Sequence, residues 1–383
     1  MDSVTTEHNG LEWRPYQTRI VRKAIGLLCG HATFCAEAPE PPVESVVIES
    51  PTGSGKTAMA LGIARWVQEH LGMSVGWCAM RRNLLVQAAA ENERWGFGVD
   101  LKLISMFEKQ PPRVDLLVVD EAQHDGALSM ANLHGQIQPK KVLGLTATPF
   151  RTDRFKLCFK KTIRDAGIHA LIRDGYLSPY HHYTMPAYGP QTVAEMYLRD
   201  PDHWGRSLIF FHRLQQCVEC AESLVAGGVG AEVVTARTDR QGQIEEFAAG
   251  RIPVLINMLI LSEGFDCPAL KTVFCRPSGR LCTVQMCGRV FRRHPDLPWK
   301  QIVQCEQTRH PFGRTARPAE QYLWTDGQWR SLRPNRRLDE LSIRMRGLMA
   351  ASSSARLPQF VVNRRERPGR ARFARRRPDE TAA

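Results

Sequence analysis

The stretch Pro51-Thr52-Gly53-Ser54-Gly55-Lys56-Thr57 follows the apolar run Val46-Val47-Ile48 and decides the fold class. A buried strand that runs into a glycine-rich turn ending in Gly-Lys-Thr is typical of a phosphate-binding loop. Gly53 and Gly55 let the backbone N–H groups converge on one phosphate, and Lys56 adds a positive charge at the β/γ-phosphates. The Thr57 hydroxyl is placed to coordinate Mg²⁺. The stretch therefore predicts a site for a nucleotide and Mg²⁺.

One position departs from the general pattern, since Ser50 stands where a glycine is usual. Residues 58–71 are expected to form a helix whose positive N-terminal end faces the same nucleotide. For the loop taken alone, a Gly/Ser turn that contains a lysine by chance remains the alternative.

Apolar strands alternate with helical patterns on both sides of the chain's midpoint. This alternation predicts an α/β fold with two parallel sheets, one in each half, that helices cover on both faces. Only the first half contains a phosphate loop, and residues 176–205 read as a loop between the halves. The predicted strands are 74–80, 101–105, 116–119, 142–145, 207–211, 231–235, 254–257 and 272–275. The predicted helices are 18–28, 83–94, 214–225, 241–249 and 283–291. The pattern weakens from residue 301, with one further strand possible at 322–329.

The chain has 383 residues, which is enough for two ordinary domains and a tail. We expect a first domain at 1–175, a second at 176–300 and a C-terminal extension at 301–383. No apolar run is long enough for a membrane span, and the first ten residues lack a signal-peptide layout, so a cytoplasmic protein is expected. The eleven cysteines are scattered, and Cys217 and Cys220 are expected to pack on a helix rather than bind metal.

The net charge of +13 favours a polyanionic partner, because clustered cations bind nucleic-acid phosphates. Eight arginines between Arg364 and Arg377 contribute much of this excess, around Pro368 and Gly369. Such a composition predicts a disordered tail. The tail is either a nucleic-acid-binding arm, which we favour, or a solubilising end.

A second chemical signal follows the apolar run 116–119, as Asp120-Glu121-Ala122-Gln123. An aspartate at the end of a buried strand beside a phosphate loop is where such proteins hold Mg²⁺. Glu121 would then orient and deprotonate the attacking water. Thr146-Ala147-Thr148 ends the next apolar run, and its hydroxyl groups could hydrogen-bond to the carboxylate turn.

The second half carries Gly264-Phe265-Asp266 and the segment Gln285-Met286-Cys287-Gly288-Arg289-Val290-Phe291-Arg292. On the predicted helix, Arg289 and Arg292 would lie on one face with no acidic residue between them. Two guanidinium groups so placed favour a shared anion, and a γ-phosphate held by the first domain fits. A solvated basic face, continued by Arg293 and His294, is the alternative for this segment alone.

Taken in order, these motifs resemble those of the superfamily 2 helicases and translocases (DEAD/DEAH-box type). The resemblance points to the branch that contains type III restriction enzyme R subunits and UvsW- and RadD-like DNA helicases. It covers residues 11–293 and implies two RecA-like domains with ATP and Mg²⁺ in the cleft between them. Thr57 and Asp120 would hold the metal.

The resemblance also assigns roles to individual residues. Arg14 and Gln17 would recognise the adenine, Pro51–Thr57 would bind the phosphates, and Gly264 and Asp266 would meet the ribose. Gln285, Arg289 and Arg292 would complete catalysis with Lys56, Asp120 and Glu121. Gln123, Thr146 and Thr148 would couple hydrolysis to movement. Arg81, Ser105 and Thr235 would line the nucleic-acid groove.

Gln123 stands where close relatives of this type usually have histidine, and glutamine cannot carry charge. Three functions stay open at this point. A DNA helicase or translocase is favoured. The first alternative is an RNA helicase or remodeller with the same ATP-hydrolysing domains. The second is an ATP-gated clamp that switches state without unwinding. The three share ATP hydrolysis or binding and a nucleic-acid partner.

Overall fold

The computed structural model describes residues 9–30, 41–124, 128–148, 157, 159–262, 265–332 and 344–345. Met1–Leu332 form one compact unit and Arg333–Ala383 form another. In the second unit only residues 344–345 are described, and they are helical. The arginine-rich tail predicted above therefore lies outside the described residues. No helix in the described ranges is long and apolar enough to cross a membrane.

The first sheet has six parallel strands in the order β3-β2-β4-β5-β1-β6. Its central strands are apolar on both faces because helices cover both sides, and all four residues of β4 are buried. The strands are β1 Ser45–Glu49, β2 Val75–Ala79, β3 Leu101–Ser105, β4 Leu116–Val119, β5 Lys141–Thr146 and β6 Lys161–Arg164. The accompanying helices are α1 Pro15–Cys29, α2 Lys56–Leu71, α3 Arg82–Arg94, α4 Leu128–Ile137 and α5 Ile168–Arg173.

The second sheet has eight strands in the order β14-β13-β7-β12-β11-β8-β10-β9. All neighbours are parallel except the β13–β14 hairpin. The strands are β7 Tyr180–Met185, β8 Ser207–Phe210, β9 Ala231–Val233, β10 Val254–Asn257, β11 Thr272–Phe274, β12 Lys300–Cys305, β13 Glu320–Thr325 and β14 Gln328–Ser331. The helices are α6 Pro190–Leu198, α7 Pro201–Trp204, α8 Leu214–Ala226, α9 Arg240–Ala249 and α10 Arg280–Cys287. The fold is thus the predicted α/β architecture of two RecA-like domains.

The prediction of a loop at residues 176–205 is wrong, because β7, α6 and α7 lie there. The loop was predicted from the prolines in this segment, which are typical of loops. Pro190 and Pro201 occupy the first position of α6 and α7, where the missing N–H costs no helical hydrogen bond. Asp200 caps α7 by accepting a hydrogen bond from the His203 N–H at 3.0 Å.

The second sheet also continues past the predicted boundary at residue 300. Polar residues hid β12 from a search for apolar runs, yet every residue of this strand is buried. Lys300 donates from Nζ to the Pro268 and Leu270 carbonyls at 2.7 and 2.6 Å. The Gln301 amide lies 2.6 Å from the Thr272 hydroxyl through Oε1 and 3.1 Å from Nε2 of His203 through Nε2. Because these hydrogen bonds satisfy the polar side chains, Lys300 and Gln301 can be buried within the strand.

The predicted helix 283–291 is shorter in the structure. Helix α10 ends at Cys287, residues Gly288–Phe291 form a 3₁₀ turn, and Arg292 has extended backbone angles (φ −59°, ψ 130°). Arg289 and Arg292 therefore do not share one α-helical face, contrary to the prediction. The strand suggested at 322–329 is in fact the β13–β14 hairpin. Cys217 and Cys220 are buried on α8, in agreement with a packing role.

Candidate nucleotide site between the two sheets

A cavity of about 370 Å³ lies where the carboxyl ends of strands from both sheets meet. The first sheet contributes the phosphate loop and the turn after β4, and the second contributes the segments after β10 and α10. This edge is where ligands bind in parallel α/β sheets. Predicted site residues that line the cavity are Arg14, Gln17, Thr52, Gly53, Gly55, Lys56, Thr57, Asp120, Glu121, Asp266, Arg289 and Arg292.

Three of the predicted nucleotide-site residues do not line the cavity. Pro51 and Ser54 belong to the phosphate loop and Gln285 lies on α10, but none of the three is among the lining residues. Gly264 falls outside the described residues. Gln285 is thus the one predicted catalytic residue that the structure leaves out of the lining.

The phosphate loop depends on two glycines with left-handed backbone angles, Gly53 (φ +85°) and Gly55 (φ +81°). A Cβ atom at Gly55 would lie 2.5 Å from Nε2 of Gln17, so a side chain there would strain the left-handed backbone and displace the Gln17 amide from the Ser54 carbonyl. Ser50, the departure from the usual glycine, is buried, and its hydroxyl donates to the Ser54 hydroxyl at 2.7 Å. The Ser50 hydroxyl therefore stabilises the loop through its hydrogen bond to Ser54.

Lys56 begins α2 and its ammonium group folds over the loop. Nζ donates to the backbone carbonyls of Ser50 and Pro51 at 3.1 and 3.3 Å. Burial lowers the pKa of Lys56, and the carboxylates of Glu121 and Asp120 oppose that shift. The site therefore holds a partly desolvated cation between the loop and two acids.

Gln17 connects α1 to the phosphate loop. Its Oε1 accepts from the Arg14 N–H at 3.0 Å, and its Nε2 donates to the Ser54 carbonyl at 2.8 Å. The Tyr16 hydroxyl donates to the same carbonyl at 2.7 Å. Arg14 lies over the ring of Tyr176, 5.1 Å from its centroid. The Gln17 side chain, which is predicted to contact the adenine, thus also holds the phosphate loop against α1.

Asp120 and Glu121 form a strained acidic turn at the end of β4. Asp120 is buried, and its Oδ1 accepts from the Glu121 N–H at 2.9 Å. Burial and then the neighbouring Glu121 carboxylate raise the pKa of Asp120 to about 7, against the opposing charge of Lys56. Glu121 has φ +50°, a left-handed conformation that costs a residue with a side chain about 1–3 kcal/mol and is found at functional sites.

Gln123 links this acidic turn to the end of β5. Its Nε2 donates to Glu121 Oε2 at 2.9 Å, and its Oε1 lies 2.7 Å from the Thr146 hydroxyl. That hydroxyl also lies 2.7 Å from the Thr148 carbonyl and accepts the Thr148 N–H at 3.0 Å. Since a hydroxyl has one hydrogen to give, Thr146 can donate to Gln123 or to Thr148, but not to both. The arrangement provides two alternative hydrogen-bond states.

Arg289 and Arg292 enter the cavity from the second sheet. Arg289 is buried and donates from NH1 to the Phe265 carbonyl at 3.2 Å. Arg292 donates from Nε to Asp266 Oδ1 at 2.6 Å. The NH1 of Arg292 would lie 3.2 Å from a Cβ placed on Gly53, so this guanidinium packs against the phosphate loop. The two arginines thus converge on one cavity although they do not share a helical face.

The residues present are compatible with Mg²⁺ bound together with a nucleotide. Thr57 and Asp120 line the same cavity, and the raised pKa of Asp120 shows a buried carboxylate that a cation would stabilise in its ionised form. No group of three acidic, histidine or cysteine side chains able to hold a metal exists within the described ranges. One hydroxyl and one carboxylate suit Mg²⁺, which takes few protein ligands and completes its shell with phosphate oxygens and water.

The three residues predicted for the nucleic-acid groove lie at the carboxyl ends of strands, two in the first sheet and one in the second. Arg81 follows β2 and donates from NH1 to the Ile260 carbonyl of the second half at 2.8 Å. Ser105 ends β3, and its hydroxyl accepts the Phe107 N–H at 3.3 Å. Thr235 follows β9, and its hydroxyl accepts the Arg237 N–H at 3.1 Å. Arg81 is therefore already a bridge between the two halves.

Sequence reasoning missed the contribution of α3 to the cavity. Gln87, Glu91 and Arg94 on α3, and Trp95 after it, all line the cavity. Burial raises the pKa of Glu91, with a hydrogen bond from Gln87 and the charge of Arg292 opposing the shift. Polar residues at three- and four-residue spacing on a helix are typical of a solvated face, so only the cavity shared with Asp266 and Arg292 identifies them.

Residues 190–318 match the family model described as the helicase conserved C-terminal domain. A curated relative, the 51.5 kDa protein of Lactococcus phage (isolate 7-9), is 26% identical over 275 residues. That alignment covers 61% of this chain and 60% of the relative. The chain thus aligns with little more than half the length of this phage protein.

Two solved structures share the fold. The ATP-dependent Type ISP restriction-modification enzyme LlaBIII bound to DNA has a TM-score of 0.53 and 15% identity, over 76% of this chain and 27% of that enzyme. S. cerevisiae Dbp5 bound to RNA and ADP BeF3 has a TM-score of 0.52 and 17% identity, over 78% of this chain and 88% of Dbp5. These similarities show that the chain shares its α/β fold with LlaBIII and Dbp5, and the family match identifies a helicase C-terminal domain in its second half.

Proposed function

We propose that the chain is an ATP-dependent nucleic-acid helicase or translocase that acts on DNA. The observation that carries this proposal is the meeting of Arg292 from the second sheet with Gly53 of the phosphate loop, in the cavity that also contains Lys56, Asp120 and Glu121. A site built from both halves can only be complete when the halves are close, so ATP turnover there would depend on their relative position.

In the proposed reaction, the loop N–H groups and Lys56 bind the phosphates, and Glu121 accepts the proton of the attacking water. Gln123 holds the Glu121 carboxylate in place through its hydrogen bond at 2.9 Å. Thr57 and Asp120 would hold Mg²⁺, which supplies charge neutralisation at the phosphates when bound. Arg289 and Arg292 stabilise the negative charge that develops on the γ-phosphate. We assign Gln285 a supporting role only.

Coupling to nucleic acid is proposed to use contacts that cross between the halves. Arg81 would exchange its bond to the Ile260 carbonyl for a phosphate contact, and Thr146 would change its hydrogen-bond acceptor between Gln123 and Thr148. Ser105 and Thr235 are proposed to contact the same strand. Each cycle of closure and reopening would then advance one half along the strand relative to the other.

DNA is proposed over RNA because the ordered motifs resemble those of a DNA-helicase branch. The fold itself serves both substrates, since LlaBIII is bound to DNA and Dbp5 to RNA. We further propose a cytoplasmic protein, from a bacterium or a phage-infected cell. The first domain would comprise residues 1–175 and the second would begin at 176, now extended to include the strands through Ser331.

Steady-state ATP hydrolysis tests the proposal when measured alone and with single-stranded DNA, duplex DNA and RNA of matched length. Stimulation by DNA above that by RNA is the expected result, followed by ATP-dependent displacement of a labelled strand. Greater stimulation by RNA would replace DNA by RNA in the proposal. ATP-dependent binding with no strand displacement and no movement would instead establish a clamp.

A further inference from the structure

A cationic cluster lies at the carboxyl edge of the second sheet, outside the nucleotide cavity. It comprises Arg213 after β8, Arg276 after β11, Arg280 at the start of α10 and Arg314 after β12, together with His212. None of the four arginines forms an ion pair with another described residue. None of them lines the nucleotide cavity. We call this set the Arg276 cluster.

Arg276 is the unusual member because its side chain is only 8% exposed. Its Nε is sealed from solvent and has no hydrogen-bond partner. Its NH1 donates to Nδ1 of His212, whose Nε2 in turn lies 3.0 Å from the Pro277 carbonyl. The same NH1 also lies 3.0 Å from Nε2 of His212, and a ring that accepts from a guanidinium is neutral, which is the form that the lowered pKa of His212 favours. A buried guanidinium whose one side-chain partner is a neutral imidazole carries an uncompensated charge.

The surroundings of Arg276 are positive as well. Burial lowers the pKa of His212, and the charges of Arg276 and Arg213 lower it further. Burial also lowers the pKa of His310, assisted by Arg280 and Arg314. Neither histidine has a carboxylate among the groups that shift its pKa. The N-terminal turns of α8 and α10 add partial positive charge and contain no acidic residue.

A polar atom next to the cluster also lacks a partner. The hydroxyl of Ser278 is buried without a hydrogen bond, and the Ser278 side chain is only 8% exposed. Buried hydroxyls are usually hydrogen-bonded, and leaving one unsatisfied is destabilising. Ser278 lies two residues after Arg276 in the loop that leads from β11 to α10, so both unsatisfied polar groups belong to one short segment beside the cluster.

We propose that the Arg276 cluster binds a backbone phosphate of the nucleic-acid strand on the second domain. This inference rests on the proposed function and identifies a substrate contact within it. The strands β11, β8, β10 and β9 are neighbours in that order, so Arg276, Arg213 and Thr235 follow one edge of the sheet. A strand laid along this edge would pass the cluster, whereas bound ATP would not, because the cluster lies outside the cavity.

The test uses the full chain and a fluorescein-labelled single-stranded oligonucleotide, with anisotropy measured over a range of salt concentrations. Arg276→Gln is expected to weaken binding about ten- to a hundredfold, because a charge-assisted hydrogen bond is lost. It should also reduce the slope of log K against log salt by about 0.7, the value for one phosphate on a single strand. ATP affinity without nucleic acid should not change.

The matched control is Arg206→Gln, since Arg206 precedes β8 at the opposite edge of the sheet and donates to the Ala248 carbonyl at 2.8 Å. This control removes the same charge and should leave the salt slope unaltered. If Arg276→Gln does not fold, the double variant Arg213→Gln/Arg280→Gln, at two exposed positions, takes its place. That variant should reduce the slope by about 1.4.

The outcomes separate this inference from the proposed function. A wild-type chain that binds no nucleic acid would overturn both. Wild-type affinity and slope in a folded Arg276→Gln variant, or an unchanged slope in the double variant, would overturn the Arg276 cluster alone. Inorganic phosphate is the second probe. If it raises the melting temperature in an Arg276-dependent way while the oligonucleotide slope stays unchanged, the site takes free phosphate rather than a strand.

Discussion

Arg292 donates from Nε to the carboxylate of Asp266 at 2.6 Å, so two residues from the second half form an ion pair within the nucleotide cavity. The same guanidinium reaches Gly53 of the phosphate loop. A transition-state contact of Arg292 with a γ-phosphate therefore competes with an existing partner. Before the reaction, the guanidinium of Arg292 is already paired with Asp266. Loss of Arg292 should therefore lower ATP turnover more than ATP affinity.

We expect Arg292→Ala and Arg289→Ala each to lower the turnover of ATP by about a thousandfold or more, while ATP affinity falls little. The reason is that both arginines are assigned to the negative charge that develops on the γ-phosphate only during its transfer. Turnover is measured with saturating nucleic acid, and affinity is measured with a fluorescent nucleotide. The neighbouring Arg293→Ala is the control, since Arg293 is exposed and lies outside the cavity. Normal turnover in either cavity variant would exclude the arginine-finger role.

Replacement of the acidic turn should separate binding from hydrolysis. Glu121→Gln is expected to retain ATP and to lower hydrolysis by about 10²–10⁴-fold, because a general base is lost. Gln123→Ala removes the donor that lies 2.9 Å from the Glu121 carboxylate and should lower hydrolysis by about tenfold or more through misplacement of the base.

Single-turnover kinetics on preloaded nucleotide distinguish the two effects. In Gln123→Ala the stimulation by nucleic acid should fall further than the unstimulated rate, because the connection to Thr146 is also lost. An equal loss of both rates would assign Gln123 to positioning of the base alone.

The phosphate loop and the acidic turn could be predicted from the sequence because local chemistry determines them. Gly55 adopts φ +81° beside Gln17, and few residues other than glycine allow this. The contact of Gln17 with the Ser54 carbonyl could not be predicted, because it depends on how α1 packs against the loop. Glu91 was missed for the same reason. It lines the cavity only because Asp266 and Arg292 of the second half lie on the other side of that cavity.

Buried polar residues and prolines at helix N-termini explain two of the errors in the fold prediction. Lys300 lies inside a buried strand, and its ammonium group is satisfied by two carbonyls from a distant loop. Pro190 and Pro201 were interpreted as loop signals although each begins a helix. In each case the deciding contact or position belongs to the assembled fold, and a search for local apolar periodicity does not detect it.

Gly55→Ala should weaken ATP binding strongly, because its Cβ would lie 2.5 Å from Gln17 Nε2, would displace that amide from the Ser54 carbonyl, and would strain a left-handed backbone within the phosphate loop. Gly72→Ala is the matched control, since Gly72 also has a positive φ (+61°) but no atom lies within 4 Å of the position that a Cβ would take there. The backbone strain, about 1–2 kcal/mol, is common to both variants. Both should unfold at lower urea concentration, but only Gly55→Ala should bind nucleotide more weakly. Retention of ATP affinity in Gly55→Ala would show that the loop adapts.

The raised pKa of Asp120 makes the free energy of unfolding depend on pH. In the folded chain this carboxyl keeps its proton up to about pH 7, whereas an unperturbed aspartate loses it near 3.8. Between these values the folded state binds more protons than the unfolded state, so the contribution of Asp120 to stability decreases as pH rises. The stabilising effect is complete below pH 3.8 and is lost as pH passes 7.

Urea unfolding of the wild type and of Asp120→Asn at pH 5, 6, 7 and 8, without nucleotide or Mg²⁺, measures this effect. The asparagine is close to isosteric and does not titrate, so it serves as the reference. The stability of the wild type relative to Asp120→Asn should decline steadily from pH 5 to pH 8. Addition of Mg²⁺ and a non-hydrolysable ATP analogue should reverse the decline above pH 7, because the ionised carboxylate gains a cation. Parallel pH profiles for the two proteins would place the Asp120 carboxyl in an ordinary, ionised state.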